Sequence, residues 1–219
     1  MRAYCAFGAA KKEAGPWRTL GIVGAGRGVG VTHTAVWAAN FLTGVHREKT
    51  AVLEWNEHRD FERMGRFCRR KNPAAVTGRA RIGDRTACDR SAVSFKILGV
   101  DYYGQADGKT LADSLGQDYR RILVDFGEMT ETAMTECARC DRKLIIGSFA
   151  EWKAEAFLEL GGQSREWNDS WRLAAVFGSR ETEEAWEKAF GKRCLRIPFS
   201  EDAYLVRWED MRFFYQLFD

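Results

Sequence analysis

Apolar runs of strand length alternate with amphipathic stretches along most of the 219-residue chain. The strand-like runs are RTLGIVGA, KTAVLEWN, VSFKILGVDYY, RRILVDFG, RKLIIGSF, WRLAAVFGS and RCLRIPF. Between and after them lie helical patterns, which are VTHTAVWAANFLTG, DFERMGRFCRRK, TLADSLGQDY with Thr110 as its N-cap, EMTETAMTECARC, EWKAEAFLEL, ETEEAWEKAFG and DAYLVRWEDMRFFYQLF. Such alternation is typical of βαβ units with right-handed crossovers. It predicts a single three-layer α/β domain with a mostly parallel, doubly wound sheet.

The boundaries of this domain follow from where the alternation starts. Residues 1–16 lack it and are predicted to form a flexible N-terminal tail, so the domain is expected to cover residues 17–219. Within it, the strand at residues 19–23 is expected to lie centrally in the sheet. Residues 24–30 then follow at its carboxyl end, which is where open α/β sheets bind ligands.

Charge is unevenly distributed, although the net formal charge is only +3. Between Phe61 and Arg90 there are nine Lys or Arg against three acids, and the stretch predicts a basic loop at about residues 69–92. Such a loop is either a solvated surface or a binding surface for an acidic partner, namely a protein, a nucleic acid or anionic lipid. No aromatic residue lies between Arg69 and Arg90. This weakens the single-stranded nucleic-acid interpretation, in which bases stack on aromatic rings.

Apolar content and cysteine use indicate the compartment. No run approaches the roughly 20 apolar residues of a transmembrane helix, and the N-terminus has no apolar segment typical of a secretion signal. We therefore expect a cytoplasmic protein whose six cysteines are free thiols. Cys137 and Cys140 form a CxxC pair, which is half of a metal site or a redox pair in some proteins. Because Cys137 lies where a helix runs into a strand, a core-packing role is preferred.

A glycine-rich segment, GIVGAGRGVGVTHTAVWAANFL at residues 21–42, predicts a strand, a loop and a helix in succession. Backbone N–H groups of such a loop, together with the positive end of the following helix, can hold phosphate. Gly26, Gly28 and Gly30 allow the close approach this requires, and Thr32 lies where a hydroxyl would bind Mg²⁺. The candidate nucleotide-binding residues are Arg27, Gly28, Val29, Gly30, Val31, Thr32 and His33.

The run GRGVGVTHTAVWAANFL resembles the deviant Walker motif of the MinD/ParA family, KGGxGKT followed by a Thr- and Ala-rich helix. Further segments follow in family order: TAVLEWNEH for the strand ending in D-x-D, YRRILVDFGE for the Walker B strand, then DRKLIIGSF, RLAAVFGSR and CLRIPFSED. The resemblance covers residues 18–205, approximately. Within the family, the chain resembles the pilus-assembly branch of TadZ/CpaE-like proteins in its short length and its deviations from the motif.

Departures from the family motif fall on charged positions. The resemblance aligns Val31 with the Walker lysine and Gly26 with the signature lysine that reaches across a dimer. Glu54 and Asn56 replace the two aspartates of the second strand, and Asp125 remains as the Walker B acid. Loss of one charge-assisted hydrogen bond costs about 1.5–3 kcal/mol, or roughly ten- to hundredfold in affinity. Because the backbone cradle remains, the sequence is compatible with weak nucleotide binding, whereas hydrolysis is expected to be absent or very weak.

The resemblance implies two functional hypotheses. The first is a non-catalytic or weakly nucleotide-binding scaffold that docks protein partners in a cell-surface (pilus or secretion) assembly or positioning system, and it leaves a homodimer open. The alternative is an atypical switch ATPase that binds ATP or ADP with Mg²⁺. In it Arg27, Thr32 and Asp125 together carry phosphate and Mg²⁺, with Thr32 and Asp125 as the metal ligands, and Asp125 and Asn56 are catalytic. His33 either donates to phosphate or lies at the helix surface.

A dinucleotide-dependent oxidoreductase is a third hypothesis. The acid that such enzymes carry about 20 residues past the glycines could be Glu54. The helix start VTHT and the strand LVDFG fit a phosphate-binding loop better.

The C-terminal segment AYLVRWEDMRFFYQLFD predicts an amphipathic helix. One face is expected to carry Trp208, Met211, Tyr215 and Phe218, with Phe214 beside them. MinD-like proteins can end in a membrane-binding helix, which would make the protein peripheral at the inner face of the membrane. Here Arg207 and Arg212 are balanced by Glu209 and Asp210, so nothing draws the helix to anionic lipid. Packing on the domain's own core is preferred over a partner surface or a membrane.

Overall fold

The computed structural model describes residues 17–71, 76–77, 93–163 and 167–219. The strands are β1 (Thr19–Gly24), β2 (Thr50–Glu54), β3 (Val76–Thr77), β4 (Val93–Ile97), β5 (Val100–Gly104), β6 (Arg121–Glu128), β7 (Arg142–Ser148), β8 (Trp171–Val176) and β9 (Cys194–Arg196). The helices are α1 (Val31–Gly44), α2 (Asp60–Lys71), α3 (Gly108–Leu115), α4 (Glu131–Ala138), α5 (Ala154–Gln163), α6 (Arg180–Phe190) and α7 (Met211–Phe218). The predicted tail at 1–16 and most of the predicted basic loop at 69–92 lie outside the described residues.

All nine described strands form one sheet, in the order β3-β4-β5-β2-β6-β1-β7-β8-β9. From β5 to β9 every neighbouring pair is parallel, whereas β3 and β4 add an antiparallel edge. Strands β1 and β2 are buried along their whole length, as expected when helices cover both faces of a parallel sheet. The predicted α/β class, the mostly parallel sheet and the interior position of β1 are confirmed.

Two cores lie on opposite faces of the sheet and complete the three layers. On one face α1, α2 and α7 pack around Trp37, Phe41 and Phe214. On the other face α3, α4, α5 and α6 pack around Phe157 and Trp186. The helices therefore hold the sheet between them, and the carboxyl ends of the parallel strands meet at one edge.

The segment VSFKILGVDYY was predicted to be one strand, and this is wrong. It forms a hairpin, in which β4 and β5 are joined at Leu98 and Gly99 with φ of 49° and 87°. Two consecutive residues with positive φ are the geometry of a tight hairpin turn. The turn has leucine rather than Asn, Asp or Gly at its first position, and this conceals it in the sequence.

Helix α3 begins one turn earlier in the chain than predicted. Its N-cap is Asp107 rather than Thr110, because the Asp107 side chain accepts the backbone N–H of Thr110 at 2.8 Å. Asp and Thr are both good N-cap residues, so composition alone does not distinguish them.

The C-terminal helix packs on the core, as predicted, but it is shorter and its inward face differs in part from the predicted one. Residues 208–210 form a 3-10 turn, and the α-helix covers only Met211–Phe218. The buried side chains are Phe213, Phe214, Leu217 and Phe218. Trp208 is 78% exposed and Tyr215 is 45% exposed, so the prediction is wrong for these two residues. It is confirmed for Phe214 and Phe218, which are buried, and Met211 packs against the same core. The buried set of residues is more apolar than the predicted set, and both sets satisfy helical spacing.

Aromatic stacking holds this helix to α1. The Phe214 ring lies 4.5 Å from that of Phe41 and 4.7 Å from that of Trp37, measured between centroids. Phe218 stacks on Trp17 at 5.5 Å. Within the part of the chain that the structure describes, no helix combines the length and apolar character needed to cross a bilayer.

The CxxC pair is part of the core, which confirms its structural interpretation. Cys137 and Cys140 are buried free thiols. Their sulfur atoms lie 2.7 Å and 3.1 Å from where a Cβ on Gly21 would be, so they fill the space beside β1. Burial raises the pKa of the Cys137 thiol well above its ordinary value and raises that of Cys140 to about 12. Both therefore stay protonated and unreactive at neutral pH.

Candidate phosphate-binding site

The glycine loop joins the carboxyl end of β1 to the first turn of α1. Gly28 and Gly30 have φ of 69° and 89°, a region that side-chain-bearing residues rarely adopt. Gly30 is also the N-cap of α1, and no side chain caps the helix there or places an acid in its first turn. A cavity of about 540 Å³ lies over the loop. The arrangement is that of an anion-binding helix terminus.

Val31 borders this cavity, but its side chain is largely buried. It is only 8% exposed, and its Cγ2 atom lies 2.8 Å from where a Cβ on Gly24 would be. Val29 packs on the same spot, with its Cγ2 at 2.7 Å. Both valines therefore fill the space between the loop and β1, and the loop carries an apolar side chain where a lysine would offer charge.

Thr32, Asn56 and Asp125, which come from three separate segments, meet at the floor of the site. The Thr32 hydroxyl donates to Asp125 Oδ2 at 2.7 Å. Asn56 Nδ2 and the backbone N–H of Gly127 donate to Asp125 Oδ1 at 3.1 Å and 2.8 Å. Burial raises the pKa of Asp125, and the hydrogen bonds from Thr32 and Gly127 oppose that rise. The structure thus brings together the residues that the sequence assigned to metal binding and catalysis.

The donor set of this floor fits magnesium. Thr32 offers a hydroxyl oxygen and Asp125 a carboxylate, and oxygen donors of this kind are what Mg²⁺ prefers. Both belong to elements that border the glycine loop, since Thr32 is in the first turn of α1 and Asp125 is in β6. Thr32 and Asp125 are therefore the residues that would hold the cation.

Glu54 lies opposite Asp125 in the β2–β6 register, but its contacts are with a helix. Its Oε1 accepts the backbone N–H groups of Asp60 at 2.5 Å and Phe61 at 3.2 Å, at the start of α2. Its Oε2 is buried, with no hydrogen-bond partner among the described residues. Burial raises the pKa of Glu54 to about 7. Glu54 thus anchors the start of α2.

Arg27 and His33 border the cavity over the loop, but their side chains contact Glu128 and Trp37. The Arg27 side chain is 82% exposed, and its Nε lies 3.7 Å from Glu128 Oε2. The His33 ring is half-buried beside Trp37, at 6.3 Å between centroids. Burial lowers the pKa of His33, and the charge of Asp202 opposes this. The His33 imidazole is therefore neutral and the Arg27 guanidinium is solvated, so neither offers phosphate the positive charge that a lysine would supply.

Lys153 is a neighbour of the loop that sequence analysis missed. Its Nζ donates to the carbonyl oxygen of Arg27 at 2.9 Å and lies 3.5 Å from that of Gly28. More than 120 residues separate it from the loop along the chain. The available signal was its position just after a predicted strand, at the edge where strand ends and ligand sites meet.

A second cavity lies on the other side of the glycine loop and was also not predicted. Its volume is about 480 Å³. Apolar side chains at the ends of β8 and β9 line it, among them Val176, Phe177, Ile197, Pro198 and Phe199. His33 and the loop close the remaining side.

Comparison with known proteins yields matches among solved structures. No family model matches the chain, and no curated protein matches it. A plasmid partition protein of Borrelia burgdorferi bound to AMPPNP superposes with a TM-score of 0.61 at 15% identity, over 92% of this chain and 97% of that one. The chain has the ParA/MinD fold.

Two further structures support this assignment of the ParA/MinD fold. A ParA family ATPase of Chlorobium tepidum gives a TM-score of 0.58 at 19% identity, over 85% of this chain and 87% of that one. MinD in the MinC:MinD complex of Aquifex aeolicus gives 0.56 at 14% identity, over 91% and 86%. At these identities the likeness is one of fold, so the chemistry rests on this chain's own residues.

Proposed function

We propose that this chain is a weakly nucleotide-binding, non-catalytic scaffold that docks protein partners in a positioning system or a cell-surface (pilus or secretion) assembly. The ParA/MinD fold supports a positioning or partitioning role. Solved proteins of this fold have been captured with AMPPNP, with Mg-ADP and with MinC. For this chain, the proposal rests on a phosphate cradle that keeps its backbone but lacks its lysines.

Nucleotide binding is supported by three features on one edge of the sheet. The glycine loop and the first turn of α1 offer backbone N–H groups to phosphate. Thr32 and Asp125 offer oxygen atoms to Mg²⁺. The apolar cavity of about 480 Å³ beside the loop is large enough for a nucleobase, with Phe177 and Phe199 as its aromatic walls.

The absence of hydrolysis rests on one observation above all, namely that Val31 is buried beneath the loop. Catalysis of phosphoryl transfer is almost entirely positioning and charge stabilisation. Without an ammonium on the first turn of α1, the transition state loses more stabilisation than the bound substrate does. Asn56 also disfavours hydrolysis. Its amide donates a hydrogen bond to Asp125, and it stands where a carboxylate could otherwise orient the attacking water.

The alternative, an atypical switch ATPase, is favoured by the Thr32–Asp125 hydrogen bond at 2.7 Å. In that function Arg27 would have to leave Glu128 and turn toward phosphate. The two functions differ in whether ATP is consumed.

Calorimetric titration with ATP, ADP and NAD, each with Mg²⁺, tests the proposal together with an ATP-turnover assay on the same preparation. We expect weak binding of ATP or ADP, no binding of NAD, and no turnover above the level of Asp125→Ala. Because Asp125 accepts three hydrogen bonds, Asp125→Asn serves as a milder second control. Robust wild-type turnover that either variant abolishes would overturn the scaffold in favour of the switch, and binding of NAD would revive the oxidoreductase hypothesis.

Partner docking is tested by the oligomeric state and by co-purification. Light scattering with and without Mg-ATP distinguishes a monomer from a nucleotide-dependent homodimer. An acidic partner at the basic loop would be lost at high salt, since exposed charges are screened beyond about 10 Å at 0.1 M ionic strength.

A further inference from the structure

We propose that Lys153 is the residue that gives positive charge to phosphate at the glycine loop, in place of the lysines absent from positions 26 and 31. This inference rests on the proposed nucleotide binding and names the side chain on which phosphate affinity depends. Lys153 comes from the turn that precedes α5, not from the loop itself.

The Lys153 ammonium lies directly against the loop. Its Nζ is 2.9 Å from the Arg27 carbonyl oxygen and would be 3.3 Å from a Cβ on Gly28. Gly28 borders both cavities beside the loop. A lysine ammonium has three N–H donors, and the two loop carbonyls engage at most two of them. A donor and a full charge thus remain for an anion bound at Gly28.

The turn that carries Lys153 is fixed by its own contacts. β7 pairs with β1 in parallel, and the N–H of Ala25 donates to the carbonyl of Ile146 at 2.8 Å. After β7, Phe149 and Ala150 are buried at 1% and 3% exposure. The N–H of Lys153 then donates to the Ala150 carbonyl at 2.8 Å. The lysine therefore starts from an anchored turn that follows β7, the strand next to β1.

The other cations that border the loop are already engaged. Arg27 lies within 3.7 Å of Glu128. Arg63, across the larger cavity, donates to Asp60 at 2.8 Å. Among the described residues at this site, Lys153 is the cation whose contacts are with backbone carbonyls of the loop rather than with a carboxylate. At the Lys153 ammonium, a phosphate oxygen would take the place of a neutral carbonyl acceptor. Because the phosphate oxygen is charged, it forms the stronger hydrogen bond.

The test measures affinity of the full-length protein for Mg-ATP, for tripolyphosphate and for adenosine. Lys153→Ala removes the ammonium, Lys153→Gln keeps a neutral donor for the carbonyls, and Lys153→Arg keeps the charge. The matched control is Lys192→Ala. Lys192 also donates to a backbone carbonyl, that of Trp167 at 3.0 Å, but it precedes β9 at the amino end of the sheet. Thermal unfolding curves verify that each variant is folded.

We expect Lys153→Ala and Lys153→Gln to weaken binding of Mg-ATP and tripolyphosphate about tenfold. Adenosine affinity should be unchanged, and Lys153→Arg and Lys192→Ala should resemble the wild type. Wild-type affinity in Lys153→Gln would mean that the lysine only clamps the loop, and it would overturn the inference. Equal affinity of the wild type and Lys153→Ala would overturn it while leaving nucleotide binding intact. A wild type that binds neither Mg-ATP nor tripolyphosphate would overturn this inference and the proposed function together.

Discussion

Replacement of Glu54 by Gln should raise the free energy of unfolding, measured relative to that of the wild type, more at alkaline pH than at acidic pH. Glu54 is fully buried at the end of β2. Its Oε1 accepts two backbone N–H groups of α2, and its Oε2 has no partner among the described residues. Gln has the same shape and can accept the same two hydrogen bonds, but it carries no charge at any pH.

The size of the effect follows from the pKa. Burial raises the pKa of Glu54 from an ordinary 4.5 to about 7. The folded protein therefore retains a proton that the unfolded chain has lost between pH 4.5 and pH 7, and stability falls as pH rises through this window. Each tenfold difference in proton affinity is worth about 1.4 kcal/mol. The full penalty, on the order of 3 kcal/mol, is present above pH 7 and absent below pH 4.5.

Urea unfolding of the wild type and Glu54→Gln, followed from pH 5 to pH 8.5, measures this difference. Any pH-independent effect of the amide cancels when the gap between the two proteins is compared across pH. From pH 5 to pH 8.5 the difference in unfolding free energy, Glu54→Gln minus wild type, should rise by about 2–3 kcal/mol. Glu159→Gln, at an exposed position of α5, is the control and should show a constant gap. A constant gap for Glu54→Gln as well would refute the claim that a buried charge opposes folding here.

Three further outcomes are expected. Val31→Lys should raise Mg-ATP affinity roughly ten- to hundredfold in a calorimetric titration, and unchanged affinity in a folded variant would contradict the assignment of the phosphate cradle. Phe214→Ala should cost about 3–5 kcal/mol of unfolding free energy because it opens the aromatic core, whereas Phe67→Ala on α2, at 65% exposure, should cost less than about 0.5 kcal/mol. Truncation after Ala203 removes α7, so the melting temperature should fall sharply, and an unchanged value would mean that α7 is not part of the core.

The fold was predictable because the sheet is buried on both faces. Its strands appear in the sequence as continuous apolar runs, and β1 and β2 are buried at every position. The glycines between β1 and α1 predicted a loop at this point of the chain, and two of them, Gly28 and Gly30, adopt positive φ. The pairing of Thr32 with Asp125 was implied by family order, and the structure brings the two oxygen atoms to 2.7 Å.

Other features depend on contacts that local sequence does not encode. Lys153 looks like any other solvent-facing lysine of a helical pattern, and only the β1–β7 pairing brings it to the glycine loop. The role of Glu54 as an anchor for α2 likewise depends on where that helix begins. The inward face of α7 was ambiguous because its aromatic residues satisfy helical spacing on two sides, and packing against Phe41 decides between them.

The position of β1 in the sheet also bears on how the chain folds during synthesis. Among the described strands β1 comes first in the chain, yet its two neighbours are β6 and β7, so that Thr19 pairs with Ile122 and Leu20 with Arg142. Contacts so distant in sequence form slowly, because a long loop must be closed before they yield any stabilisation. A nascent chain therefore carries β1 as an unpaired apolar strand until β6 has been translated. Chain fragments that end before β6 should aggregate, and a chaperone that binds extended apolar segments should recognise the residues of β1 first.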